Sequence, residues 1–253
     1  MKEILVKSTI DSTIQPNLFY EAEEKGRPLL VGLHTWSHDR FNQVDNMLPL
    51  AKKNGWNLLL PEFRGENLPS NPHGEDACGS EKAKQDIIDA VNYVKANYDI
   101  DEENILLLGA SGGGHMSLLM AAYAPELWRA VCSFVPITDM GVWHQEAEEY
   151  RDGIEHCCGK YSPDNEEYKK RSPITYVDEI AQAQVKIYSG KWDSVVPCHH
   201  GLDLYNKIFE KHPDAKVYFE MFDGGHQMLL KDAERWLVAH TDSGKEEKVE
   251  VTG

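Results

Sequence analysis

The chain has no cluster of Lys and Arg. Its 26 basic residues are outnumbered by 42 acidic ones, giving a formal charge of −16 over 253 residues. Phosphate backbones and anionic bilayers are held by clustered cations, so nucleic acid and membrane are excluded as partners. No apolar run is long enough to span a bilayer, and Met1 to Lys7 holds too short an apolar segment for a signal peptide. A cytoplasmic location is the expectation. The five cysteines, Cys78, Cys132, Cys157, Cys158 and Cys198, are odd in number and scattered, so free thiols are expected instead of a disulfide framework. The adjacent pair Cys157 and Cys158 lacks Cys-x-x-Cys spacing, which leaves a metal or redox centre only as the alternative. No metal ligands and no cofactor are assigned; His199-His200 reads as the opening of a helix. No Pro/Ser/Gly-rich linker interrupts the sequence, which favours one domain over residues 1–253. None of these features bears on oligomeric state.

What the chain does have is an apolar run, Ile105 to Leu108, leading into Gly109-Ala110-Ser111-Gly112-Gly113 and then an apolar helical stretch through Ala122. A strand, a Gly-x-Ser-x-Gly turn and a helix in that order form a nucleophile elbow, in which side chains at Gly109 or Gly113 would collide with the elements the turn brings together. Ser111 is the candidate nucleophile. A dinucleotide-binding turn is the competing reading, and it predicts a Gly-rich phosphate loop near the N-terminus that is not there.

Two further strand ends follow in the order the chemistry needs. Val185 to Gly190 runs into Lys191-Trp192-Asp193, and the alternating stretch Lys216 to Phe222 delivers Asp223-Gly224-Gly225-His226. Asp193 is the candidate orienting acid and His226 the candidate general base, with the two glycines expected to let the backbone bend so that the imidazole reaches the serine. Strands are expected near residues 29–33, 56–60, 105–108, 130–134, 185–189 and 217–222. Helices are expected near residues 42–54, 80–97, 112–124, 199–211 and 231–240. That alternation makes an α/β fold with a mostly parallel central sheet flanked by helices. Residues 3–7 and 18–23 are expected to add an antiparallel pair at one edge, and the charged tail after Ala239 to be frayed.

Together the three motifs resemble the α/β-hydrolase fold, in particular the catalytic domain of the prolyl oligopeptidase family of serine hydrolases, over nearly the whole chain. Leu30 to Trp36 resembles the strand and His-Gly-x loop of these enzymes, and Pro61-Glu62-Phe63-Arg64-Gly65 their Asp-x-Arg-Gly turn. Thr35 departs from the usual glycine. The resemblance implies an oxyanion hole made by the backbone N–H groups of Trp36 and Gly112. It also implies a structural pairing of Arg64 with an acid on the following helix, Asp86 or else Asp89. The implied chemistry is acyl transfer through Ser111, with His226 as base and Asp193 holding the imidazole tautomer.

Residues 139–182 form a long insertion between strands, expected to be a small helical cap over the nucleophile. It carries Trp143 and His144, which with Trp36, His38 and Trp192 are candidates for lining the substrate pocket; the competing reading is that the tryptophans bind the cap to the body. The propeller that gates the large peptidases of the resembled family has no counterpart in these residues. A carboxylesterase for small or carbohydrate-linked acetyl or feruloyl esters is therefore the first expectation, with a small-molecule or oligosaccharide ester as partner. A prolyl oligopeptidase-like peptidase is the alternative. A non-catalytic binding protein on the same fold is the third, which a broken triad would mark.

Overall fold

The short apolar runs become strands of one sheet in the computed structural model, which describes residues 1–241. The strands are β1 (Lys2–Lys7), β2 (Ile14–Tyr20), β3 (Arg27–Leu33), β4 (Asn57–Pro61), β5 (Ile100–Ala110), β6 (Ala130–Phe134), β7 (Val185–Gly190) and β8 (Val217–Phe222). Their order across the sheet is β1-β2-β4-β3-β5-β6-β7-β8. β2 pairs antiparallel with β1 and with β4, and every pairing from β4 to β8 is parallel. The helices are α1 (Val44–Asn54), α2 (Glu81–Asn97), α3 (Gly112–Tyr123), α4 (Met140–Glu146), α5 (Arg151–Cys158), α6 (Glu166–Lys170), α7 (Val177–Ile180), α8 (His199–Lys211) and α9 (Leu230–His240). This is the α/β-hydrolase architecture.

The continuous apolar runs exist because the sheet is covered on both faces. Leu29, Val31, Leu33, Ile105 and Leu107 face one core, with Ile87 of α2, Leu118 of α3 and Leu204 of α8. Leu30, Leu58, Leu60, Leu106 and Leu108 face the other, with Met47 of α1 and Leu237 of α9. Successive residues of one strand serve opposite cores, as a period of two requires. Ser80 starts α2 by accepting a hydrogen bond from the Ala83 N–H at 3.1 Å, which ends the long loop that precedes it.

Two strand boundaries differ clearly from the sequence expectation. β2 runs from Ile14 to Tyr20 and not from residue 18 to 23, because Gln15 and Pro16 pair with Val6 and Leu5 at an edge where polar side chains need no apolar partner. β5 begins at Ile100, ahead of the apolar run: Arg27 and Pro28 pair with Ile100 and Asp101, the register then shifts, and Leu29 pairs with Ile105. The acidic residues between lie in that irregularity, where the apolar pattern cannot reveal a strand. At the C-terminus α9 ends at His240, as the helix expected over residues 231–240 does, so the fraying expected after Ala239 does not include His240; the tail from residue 242 lies outside the described residues.

The insertion over residues 139–182 is built from α4 to α7 and short 3-10 turns. Asp139 caps α4 by accepting from the N–H groups of Gly141 and Val142. Met140, Trp143, Ile154, Cys157, Cys158 and Tyr168 form a small apolar cluster that reaches the body through Trp36, Cys78 and Val196.

Candidate active site

Ser111 sits between β5 and α3 with φ 57° and ψ −121°, a conformation that costs energy in any residue other than glycine and marks functional turns. Its N–H donates to the Phe134 carbonyl at 2.9 Å, and its own carbonyl accepts from His115 N–H at 2.8 Å. The glycines make room. A Cβ on Gly109 would lie 2.1 Å from the Gly113 carbonyl oxygen, and one on Gly113 would lie 2.6 Å from the Leu33 carbonyl oxygen. The start of α3 therefore lies against the end of β3, with the serine at the top of the sheet.

Asp193 and His226 come from the ends of β7 and β8, and their loops are laced together backbone to backbone. Lys191 N–H donates to Phe222 O and Trp192 N–H to Gly224 O, both at 2.9 Å. A Cβ on Gly190 would lie 2.3 Å from the Gly225 carbonyl oxygen, so the sequence spends its glycine there to let the loops touch. The chain bends across Asp223–His226 as expected, with neither Gly224 nor Gly225 at positive φ. His226 Nδ1 donates to Asp193 Oδ2 at 2.8 Å. Asp193 Oδ1 accepts from the N–H groups of Val195 and Val196, each at 2.9 Å. The Asp193 side chain is 0% exposed; with both oxygens held, the carboxylate cannot rotate, and it fixes the ring that faces the cavity. Asp223 turns away and accepts from Trp192 Nε1 at 2.7 Å.

The loop after β3 crosses the start of α3 so closely that a Cβ on Gly112 would lie 2.6 Å from the Trp36 nitrogen. Thr35 N–H is committed to Asn42 Oδ1 at 3.1 Å, whereas among the described residues no protein acceptor takes the Trp36 N–H. Asn42 Oδ1 also accepts from Gln43 Nε2 at 2.7 Å, and Gln43 Oε1 accepts from Asn46 Nδ2 at 3.0 Å. A chain of amides at the start of α1 thus fixes the loop where glycine is absent. His34 is structural: its ring stacks on Phe63 at 3.8 Å and faces the carbonyls of Thr35 and Glu62, and burial pushes its pKa down.

Ser111 and His226 border one cavity of about 300 Å³, also lined by Trp36, His38, Gln43, Asn46, Val135, Tyr150, Gln227 and Met228. Three of the expected pocket residues are elsewhere. Trp143 is 1% exposed and lies behind the wall, edge-on to Trp36 at 4.8 Å and beside Tyr150 at 4.9 Å, with its Nε1 donating to Val195 O at 2.9 Å. His144 is buried inside the insertion against Tyr161 and Glu155. Trp192 is 66% exposed on the outer side of the acid loop. Tyr150 is the aromatic residue that the insertion presents to the cavity, in place of Trp143 and His144. Trp143→Ala is accordingly expected to lower stability by about 3–5 kcal/mol, as large buried aromatics do. Its effect on hydrolysis should be the same factor for every substrate; denaturant melts and a rate panel check both, and a shift in substrate preference would return Trp143 to the pocket.

Arg64 is paired as the resemblance implies, and it also reaches Asp11, Ser8 and Asp76. Its Nε and Nη2 donate to Asp86, and its Nη1 and Nη2 donate to Asp11 at 2.9 and 3.2 Å. The guanidinium holds the Asp11 carboxyl well below its usual range, while burial pushes Asp86 up despite the same partner. Asp89 instead accepts from Thr9. The loop after β4, the β1–β2 turn and α2 are tied at one point. The thiols of Cys78, Cys157 and Cys158 are buried and free. Burial raises the Cys78 pKa, and the hydrogen bond to Cys78 raises that of Cys158, which makes both poor nucleophiles.

A sequence profile of the prolyl oligopeptidase family matches residues 43–242. Acylamino-acid-releasing enzyme 1 of Oryza sativa subsp. japonica is 23% identical over 212 residues, covering 76% of this chain and 26% of that protein. The acylamino-acid-releasing enzyme of Mus musculus is 27% identical over 203 residues, covering 72% and 26%. The chain thus spans about a quarter of the length of these relatives. Among solved structures, the acylaminoacyl peptidase of Pyrococcus horikoshii aligns with TM-score 0.73 at 20% identity, over 97% of this chain and 40% of that one. The fluorophosphonate-binding serine hydrolase F of Staphylococcus aureus aligns with TM-score 0.74 at 14% identity, over 94% and 97%. With the family profile spanning the elbow and the acid and histidine loops, the chain belongs to the prolyl oligopeptidase family of serine hydrolases.

Proposed function

We propose that the chain hydrolyses the bond after an uncharged acyl group, with N-acylated aminoacyl amides as its substrates, through Ser111 as nucleophile, His226 as base and Asp193 as orienting acid. The observation that carries this reading is the lining of the Ser111–His226 cavity: amides, hydroxyls, apolar and aromatic side chains and the imidazoles of His38 and His226, with no Asp, Glu, Lys or Arg. A free ammonium would meet no counter-charge in that lining and would lose its hydration, whereas a blocked amine carries none; Glu149 and Asp152 line the neighbouring cavity that shares Trp36, Ser37 and Tyr150. The relatives named acylamino-acid-releasing enzymes favour amides over the esters first expected from the sequence. Carbonyl polarisation is assigned to the N–H groups of Trp36 and Gly112.

The esterase reading stays second, supported by the same uncharged lining, because the acyl half of an acetyl ester is neutral too. Matched pairs separate them: N-acetyl-aminoacyl anilides, the same anilides with a free amine, and acetyl or feruloyl sugar esters. The acetylated anilide is expected to exceed the free-amine one by at least about tenfold in kcat/KM, the discrimination that one unpaired buried charge supplies. Cleavage of the sugar esters with none of either anilide would sink the amide reading and leave the esterase.

Asn42 is the positioning residue that this site needs in place of glycine at Thr35. Asn42→Ala frees the Thr35 N–H and loosens the loop that carries the Trp36 N–H. The expected result is a fall in kcat of about ten- to a hundredfold with little change in KM, since a misplaced donor acts on the transition state. Asn42→Asp keeps the accepting oxygen and should restore most of the rate. Equal losses in both variants would remove the positioning role.

A further inference from the structure

Away from the cavity, Glu146, His199 and His200 converge where the insertion meets the body of the fold. Glu146 is the last residue of α4, and the two histidines are the first of α8. The Glu146 carboxylate oxygens lie 3.0 and 3.2 Å from His199 Nε2, and Oε2 lies 3.3 Å from His200 Nε2. One donor atom from each of the three lies within 4.8 Å of the others. A tetrahedral metal with ligand bonds of about 2.0–2.1 Å holds its donors about 3.3 Å apart, so the two carboxylate-to-imidazole edges already have suitable lengths. The third edge runs between imidazoles that stack with ring centroids 4.8 Å apart, and closing it would require His199, whose side chain is 39% exposed, to turn toward the ion.

A second observation points to a ligand. The His200 side chain is 1% exposed, and its Nε2, 3.3 Å from Glu146 Oε2, makes no hydrogen bond among the described residues. The contact is within ion-pair distance but outside hydrogen-bond geometry, and a metal placed between nitrogen and carboxylate would bind both. The other ring has support from behind: His199 Nδ1 lies 3.5 Å from Asp203 Oδ2, and a carboxylate on that side keeps the proton on Nδ1 and leaves the Nε2 lone pair for a metal. His200 Nδ1 faces the Thr138 N–H at 3.4 Å, at the long edge of hydrogen bonding. Ligation through Nε2 puts the ring proton on Nδ1 and gives that contact up, while Thr138 Oγ1 still donates to the His200 carbonyl at 2.7 Å. Two imidazoles and one carboxylate are a donor set for zinc, not for calcium or magnesium.

We propose that Glu146, His199 and His200 form a zinc site that staples the insertion to the body, with water completing the coordination. This revises the sequence expectation of no metal ligands, and it is independent of the substrate assignment. The test is titration of the chelator-stripped full chain with zinc against a chromogenic zinc indicator. One equivalent is expected to bind with Kd in the micromolar range or tighter, and Glu146→Gln and His199→Gln are each expected to weaken it by about a hundredfold or more. Asp203→Asn, acting through His199, should weaken it by about tenfold. Zinc should raise the melting temperature of the wild type and not that of Glu146→Gln. Hydrolysis by Glu146→Gln in chelator should equal that of the wild type, which shows that the variant is folded. Binding weaker than about 100 μM, binding unchanged in Glu146→Gln, or binding abolished by Cys198→Ser would each overturn the site. Anomalous scattering at the zinc edge between the three side chains would place the ion, and scattering elsewhere would refute it.

Discussion

Ser111→Ala is expected to abolish labelling by a fluorophosphonate probe and to cut hydrolysis by about 10⁴- to 10⁶-fold, the range lost when the nucleophile of a serine hydrolase is removed. The reason is local. A serine hydroxyl is a weak nucleophile unless a base takes its proton; of the two serines that line the His226 cavity, Ser111 stands on the strained elbow at the open end of the sheet and Ser37 on the loop after β3. Ser117 and Ser133 are buried, and each donates its hydroxyl to the Gly114 carbonyl, at 2.8 and 2.9 Å. Ser194 is exposed, next to the acid and away from the imidazole cavity. Peptide mapping of the wild-type adduct makes the same prediction without a variant: the label falls on the peptide carrying Ser111. Labelling of any other serine, or labelling that survives in Ser111→Ala, would sink the elbow assignment. The variant should melt within a few degrees of the wild type, because Ala meets the same φ of 57° that Ser111 already adopts and removes only a hydroxyl.

The elbow, the acid loop and the histidine loop are legible in the sequence because each is written locally. Ile105 to Leu108 is apolar throughout, as a strand covered on both faces must be, and Gly109 and Gly113 stand where a Cβ would meet backbone at 2.1 and 2.6 Å. Asp193 and His226 follow directly from strand ends, so chain order alone places them near the serine. What is not legible depends on packing between distant segments. Asp11 sits 53 residues before Arg64 in a hairpin turn and reads in sequence as one more solvated loop carboxylate. Trp143 and Trp192 carry the same indole, yet one is 1% exposed and the other 66%; residue type cannot say which side of a loop faces the cavity. Tyr150 escapes sequence reasoning for the same reason. Gln43 and Asn46 read as the polar beginning of an amphipathic helix, and only the crossing of that helix over the β3 loop turns them toward the serine. Glu146 and His199, 53 residues apart, have no shared local pattern at all. The glycines before His226 mark the bend that the sequence suggests, while the close approach at Gly190 across the loop is not legible from that segment.

Asp193→Asn is expected to lower kcat/KM by about 10⁴-fold while leaving the fold intact, the loss known when the acid of a serine-protease triad becomes its amide. The hydrogen bonds fix which way the new amide points. Asp193 Oδ1 receives two backbone N–H groups, from Val195 and Val196, and an amide NH₂ placed there would face both donors. The amide oxygen of the variant is therefore held on that side, and its NH₂ is turned toward His226 Nδ1. A neutral imidazole then accepts at Nδ1 and carries its proton on Nε2, the nitrogen left for Ser111, where it can no longer take the serine proton. Stability should change little, since the shape and both backbone bonds are retained. Asp193→Ala, by contrast, leaves two N–H donors and the ring unpaired in a buried loop, and it should cost about 1–3 kcal/mol for each donor left without a partner. Rates, melting curves and the pH profile of the two variants together separate orientation from folding. Activity in Asp193→Asn within about tenfold of wild type would move the acid role elsewhere; Asp223 is the nearby alternative, and it would first have to leave Trp192 Nε1, which it accepts from at 2.7 Å.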